Sequence, residues 1–167
     1  MDELQALKNE LATLKARLQT LEDHIEISNM VASYGPAADS GSAQAVADLF
    51  TADGLYAIVD ADKPYPMKGH DEIAQMVQDS GHQGLIHNGC GHFVLPPTVE
   101  VNGDEAQGRG YALNIRWDPE AKRWWIARLS ANTWTWTRTK DGWRIVERLN
   151  AKLDGSAKAR AMLAPAD

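Results

Sequence analysis

Leu4, Leu7, Leu11, Leu14, Leu18, Leu21 and Ile25 follow an unbroken 3-4-3-4 spacing. That spacing is the a/d seam of a heptad repeat. Neither Gly nor Pro occurs before Gly35, so the chain must begin with a long helix, from about residue 2 to about residue 34. In this register Glu10 and Arg17 occupy g, while Lys15 and Glu22 occupy e. Glu10 with Lys15, and Arg17 with Glu22, attract one another between parallel copies. Residues 1–24 are therefore expected to be an oligomer contact, in a dimer or a trimer. Leucine at both a and d does not separate those two numbers. The alternative is a helix whose leucine stripe packs against its own domain.

Gly35-Pro36 is expected to interrupt this helix, with a short second segment over Ala37–Ser40. Ser42 has the chemistry of an N-cap for a helix over Ala43–Phe50. Thr51–Gly54 reads as a turn, Leu55–Val59 as a short strand, and Asp60–Lys68, with two prolines, as a loop or lid. A third helix is expected over Asp71–Gln78, and a glycine-rich connection from His82 to Gly91. Beyond it, strands are predicted at about 92–101, 107–117, 123–138 and 143–150, joined by turns such as Asn102-Gly103 and Asp141-Gly142. The third of these is long enough to require strong twist or a bulge. Helices followed by an antiparallel meander make an α+β domain over residues 25–154, with a tail over 155–167.

With 167 residues, 44% apolar and 24% charged, the chain has the balance of one ordinary globular domain. A net charge of −6 with no Lys/Arg cluster argues against nucleic acid or an anionic membrane as partner. No run reaches the length of a membrane span. One cysteine, Cys90, excludes an internal disulfide. Without a leader-like N-terminus, the expected location is the cytoplasm.

Chemistry concentrates in two segments, Tyr34–Asp39 and His87–Val94. An Asp that orients a His is the minimal equipment for moving a proton without a cofactor. His92 is the natural base because imidazole titrates near neutrality, Asp39 would fix its tautomer, and Tyr34 could donate a hydrogen bond. His87 is a rival for the histidine. Strict alternation points it away from the face of His92, whereas a bulge in Gly89–Gly91 would reverse that. Cys90 shares the parity of His92 and reads as pocket wall rather than nucleophile. A zinc site from His82, His87, Cys90 and His92 matches no standard spacing, so neither metal nor cofactor is expected. Trp134 and Trp136 share the parity of Asn132, as does Trp124 if the strand has no bulge. Such indoles on a concave sheet would suit a flat apolar substrate. Arg148, or Arg116 as the alternative, would meet an oxyanion. Tyr56, Tyr65 and Met67 are further candidate contacts.

Several segments in order resemble the NTF2-like superfamily, and within it the SnoaL-like group. They are Asp39-Ser-Gly-Ser with Ala47–Gly54, Lys68–Ile73, His92-Phe-Val with Val99–Ala106, and Asp141–Ile145 with Arg148. The resemblance implies a cone of three helices packed on a strongly curved, mixed or antiparallel sheet. It also implies a small-molecule enzyme, since the group includes scytalone dehydratase, bile-acid 7α-dehydratase and hexachlorocyclohexane dehydrochlorinase. Carried over residue by residue, it makes Asp39 and His92 a catalytic dyad. It places Tyr34 and Cys90 beside them and Asn132 against the ligand. The implied activity is a cofactor-independent lyase of dehydratase type on a bulky aromatic or alicyclic molecule. The alternatives are an isomerase or polyketide cyclase with the same dyad, a carbon–carbon lyase releasing a small aldehyde, or a non-catalytic binding module. Gly35-Pro36 inside the Tyr34–Asp39 interval departs from the group's pattern.

Overall fold

A computed structural model of the chain describes residues 3–59 and 64–165. The opening helix α1 runs without a break from Glu3 to Asp39, with Pro36 inside its last turn. This corrects the expected interruption at Gly35-Pro36. Proline costs a helix about 3 kcal/mol by removing one N–H and crowding the preceding turn. Burial of Ile27, Val31, Tyr34 and Ala38 in the core holds the turn together regardless. Gly35 has its own reason to be there. A Cβ on it would collide with the backbone carbonyl of His92, so only glycine lets the helix lie this close to that strand.

The short helix α2 (Ala43–Ala47) follows, then strands β1 (Phe50–Ile58) and β2 (Tyr65–Lys68), and helices α3 (Gly69–Gln78) and α4 (Ser80–Asn88). Three expectations are corrected here. Thr51–Gly54 is no turn but an irregular stretch within β1, where the register against β7 shifts between Phe50 and Leu55. The proline-bearing lid is partly a strand, because Pro66 sits on an edge where its missing N–H is tolerated. Its residues 60–63 lie outside the described residues. The glycine-rich connection is largely helical, since nothing crowds Gly81 or Gly84 and the Gln83 amide anchors the turn on the Val77 carbonyl at 2.7 Å.

The remaining strands are β3 (Cys90–Val94), β4 (Thr98–Asn102), β5 (Glu105–Asp118), β6 (Arg123–Thr139) and β7 (Gly142–Lys152), followed by a short helix α5 (Ala157–Ala161). Pro96-Pro97 splits the expected strand 92–101 into β3 and β4, which both pair with β5. Along the sheet the order is β2-β1-β7-β6-β5-β3. It is antiparallel except for β1 beside β7, giving the open, curved mixed sheet of an α+β fold. The helices cover one face, and Ile27, Val31, Val46, Phe50, Ile73, Val77, Trp136, Trp143 and Ile145 form the core between the layers.

In β6 an extra residue, Ala127, lies between the pairs Asn114↔Arg128 and Ile115↔Ile126. Such a bulge reverses the alternation. Trp124 is therefore turned outward, 53% exposed, rather than sharing the face of Asn132. Trp134 and Trp136 do point inward, but they are core. Their rings stack 5.8 Å apart at 3% and 1% exposure. Gly108 makes room for them, because a Cβ there would strike the Trp136 ring.

Candidate active site

Asp39, at the C-terminal end of α1, grips His92 on β3 twice. Its Oδ1 lies 2.6 Å from His92 Nδ1, and its Oδ2 accepts the His92 backbone N–H at 2.9 Å. The close approach that Gly35 permits brings these two elements within reach. A carboxylate facing Nδ1 makes Nδ1–H the donor in the neutral ring and leaves Nε2 as the free acceptor. Burial pushes the His92 pKa below its ordinary value, against the opposing pull of the Asp39 carboxylate. Burial thus favours the neutral imidazole, the form whose Nε2 can accept a proton.

His92 forms part of the wall of a cavity of about 430 Å³, together with Tyr34, Tyr56, His82, Asn114 and Arg148. Arg148 is only 2% exposed. Its guanidinium lies 4.2 Å from the ring centroid of Tyr34 and 5.0 Å from that of Tyr56. Among the described residues no carboxylate pairs with it; its Nε donates to Asn132 Oδ1 at 3.0 Å. A buried guanidinium held by aromatic faces and a neutral amide is poised for an anionic group. Burial drives the Tyr34 phenol far above its ordinary pKa, so Tyr34 stays protonated and acts as a donor.

The geometry separates the predicted residues. Asp39, His92, Tyr34, Tyr56 and Arg148 converge. Asn132, Trp134, Trp136, Cys90 and His87 are not in the wall of the cavity. Asn132 is fully buried behind it, accepting from both Arg148 and Asn150, so it orients the wall rather than touching its contents. Trp134 lies beneath Arg148, 5.7 Å from its guanidinium. Cys90 touches the same carboxylate oxygen of Asp39, with its Sγ 3.6 Å from Oδ1. Burial, reinforced by that carboxylate, pushes its thiol up to about 11, which makes it a poor nucleophile. His87 is exposed at the end of α4, in a separate hollow with Trp117 and Trp124. Of the two rival histidines it is His92, not His87, that meets Asp39. Tyr65 lies at the cavity wall, while Met67 is buried in the core. Arg116 faces Cys90 across the β3–β5 pair and not the cavity.

Sequence reasoning missed the role of His82, weighing it only as a metal ligand. Its ring stacks on His92 with centroids 5.1 Å apart, and its Nε2 lies 3.1 Å from the Ala38 carbonyl. A carbonyl only accepts, so Nε2 is the donor in this contact. Asp39, Cys90 and His92 also have donor atoms within 4.8 Å of one another. The 2.6 Å contact is too short for two ligands of one tetrahedral ion, and a hydrogen bond accounts for it.

The sequence profile of a SnoaL-like domain matches residues 19–149. The chain belongs to the SnoaL-like family. Among solved structures, an NTF2-like protein with a cystatin-like fold from Novosphingobium aromaticivorans is 44% identical, with a TM-score of 0.87. That match covers 93% of this chain and 97% of the other. Rv3472 from Mycobacterium tuberculosis, a protein of unknown function, has a TM-score of 0.70 at 18% identity, over 89% and 88% of the two chains. A Catenulispora acidiphila structure in complex with S-DNPA has a TM-score of 0.64 at 17% identity, over 77% and 91%. The last two share the fold with this SnoaL-like chain. No curated protein matches it.

Proposed function

We propose that the protein is a cofactor-independent lyase acting on a bulky aromatic or alicyclic small molecule. The observation that carries this reading is the 2.6 Å contact of Asp39 with His92 at the wall of a cavity that also holds a buried, acid-free Arg148. His92 Nε2 takes a proton from a carbon adjacent to a carbonyl or ring. The C–H electron pair becomes the new C=C bond, and a hydroxyl on the neighbouring carbon departs with its own bonding pair. That oxygen receives the proton back from the imidazolium and leaves as water. Asp39 stabilises the imidazolium, as the carboxylate does in hydrolase triads. Arg148 faces the oxygen on which negative charge develops, and Tyr34 donates to it or to the departing group. A low-dielectric cavity strengthens both interactions. The same first step would serve an isomerase or a carbon–carbon lyase, and the leaving group separates these.

The test is a panel of hydroxylated aromatic and alicyclic compounds followed by ultraviolet absorbance as conjugation extends. The wild-type protein is expected to convert at least one compound, and Asp39→Asn to bind that compound without converting it. Equal turnover by the two proteins, or binding across the panel with no conversion, overturns the lyase reading and leaves a ligand-binding module.

A further inference from the structure

The seven heptad residues from Leu4 to Ile25 are each between 53% and 64% exposed. All of Glu3–Glu22 is exposed, so α1 projects roughly 30 Å beyond the domain at 1.5 Å per residue. The helix is anchored by its other side. Buried Asp23 binds the Arg138 guanidinium through both oxygens at 2.7 Å and accepts from Trp143 Nε1 at 3.2 Å. Glu26 accepts the Trp143 backbone N–H at 2.8 Å. Asp23, Ile27, Met30 and Tyr34 recur at helical spacing roughly opposite the leucine seam, at about 100° per residue. The domain thus grips one face of α1 and leaves the seam pointing away. The stripe does not pack against its own domain.

Helices in proteins draw most of their stability from packing an apolar face rather than from propensity, and an exposed apolar patch of this kind marks a contact surface. Charge selects the occupant. Glu3, Glu10 and Arg17 fall at g, and Lys8, Lys15 and Glu22 at e. In a parallel, in-register pairing each g residue meets an opposite charge at the e′ position five residues on. An antiparallel pairing sets e against e′ and g against g′, so Lys8 and Lys15 repel and only Glu10 and Arg17 attract, fewer favourable pairs than the parallel register. We propose that the exposed face of residues 3–25 binds the same face of further copies of this chain, in parallel and in register. The domains then hang from one end of the zipper, with Tyr34 and Asp39 on the domain-proximal end of each helix.

Light-scattering mass of the full chain, with and without Leu11→Glu plus Leu18→Glu, tests the surface. The wild type is expected at two or three times 18.4 kDa, and the double variant at one, with its far-ultraviolet spectrum and thermal transition still those of a folded domain. A monomeric wild type overturns the proposal. So does a double variant of unchanged mass, which would move the contact to the exposed apolar strand residues around Trp125 and Ile126. Orientation is read with Leu14→Cys under mild oxidation, using the wild type as control for Cys90. Parallel register places Leu14 against its own copy and is expected to yield a covalent dimer. A cross-link found only on mixing Leu11→Cys with Leu14→Cys proteins overturns the parallel arrangement.

Discussion

Asp39 holds His92 at two points, ring nitrogen and backbone nitrogen, so the imidazole is fixed in both tautomer and position. Replacing Asp39 by Asn keeps the size and one acceptor but removes the charge that stabilises the imidazolium. Turnover is expected to fall by about 10³–10⁴, with ligand affinity changed little and the circular-dichroism spectrum unchanged. Single-turnover kinetics beside equilibrium binding check this; a fall of less than tenfold would remove Asp39 from the proton transfer.

Because burial lowers the His92 pKa, the acidic limb of kcat/KM is expected to have its midpoint below 6.5, the ordinary value for histidine. Stability follows the same sign. On acidification the unfolded chain binds this proton first. The contribution of His92 is complete above its ordinary pKa and is lost as pH falls through the lowered folded value. A pH–rate profile and thermal melts across pH 5–8 test both; a midpoint above 6.5 contradicts the argument.

His82 stacks on His92 and opposes its protonation, while shielding it from water. His82→Asn removes both effects, and each acts in the same direction. The acidic limb should move upward, while Asp39 and Arg148 still face the imidazole from their own elements. An unmoved limb accompanied by a simple loss of stability would leave His82 with a packing role only.

Arg148→Lys tests the aromatic cradle. A flexible ammonium cannot reproduce a planar guanidinium held over Tyr34 and bonded to Asn132. We expect kcat to fall by about 10²–10³, the cost of losing one oxyanion donor. Near-wild-type kcat in this variant would show that a positive point charge suffices.

Gly35→Ala is expected to destabilise the fold by about 1–3 kcal/mol through overpacking against the His92 carbonyl. It should also lower turnover, by pushing β3 away from Asp39. Urea unfolding measures the first effect and steady-state rates the second; a neutral variant would mean that α1 and β3 can separate without consequence.

Local pattern alone was sufficient for the elements whose signal is repetitive. The heptad spacing specified α1 and its seam, and the alternating strands with Asn-Gly and Asp-Gly turns specified the β4–β7 meander. The segments flanking Gly35-Pro36 could be resolved only in three dimensions. Proline ends most helices by local sterics, yet here burial on both sides of it outweighs that cost. The same limit applies to α4, whose glycines predict a loop until the Val77 and Ala38 carbonyls supply partners for Gln83 and His82. Alternation showed that Trp134 and Trp136 face inward, but not whether inward meant core or cavity. Curvature, the Ala127 bulge and the descent of α1 onto β3 settled that: the tryptophans fill the core, and the cavity wall goes to Arg148, Tyr34, Tyr56 and His92. Which faces are apolar and which residues can carry a proton is readable along the chain, because both follow from side-chain chemistry and period. Which of them meet emerges in three dimensions, because contacts across more than fifty residues depend on how a twisted sheet closes beneath its helices.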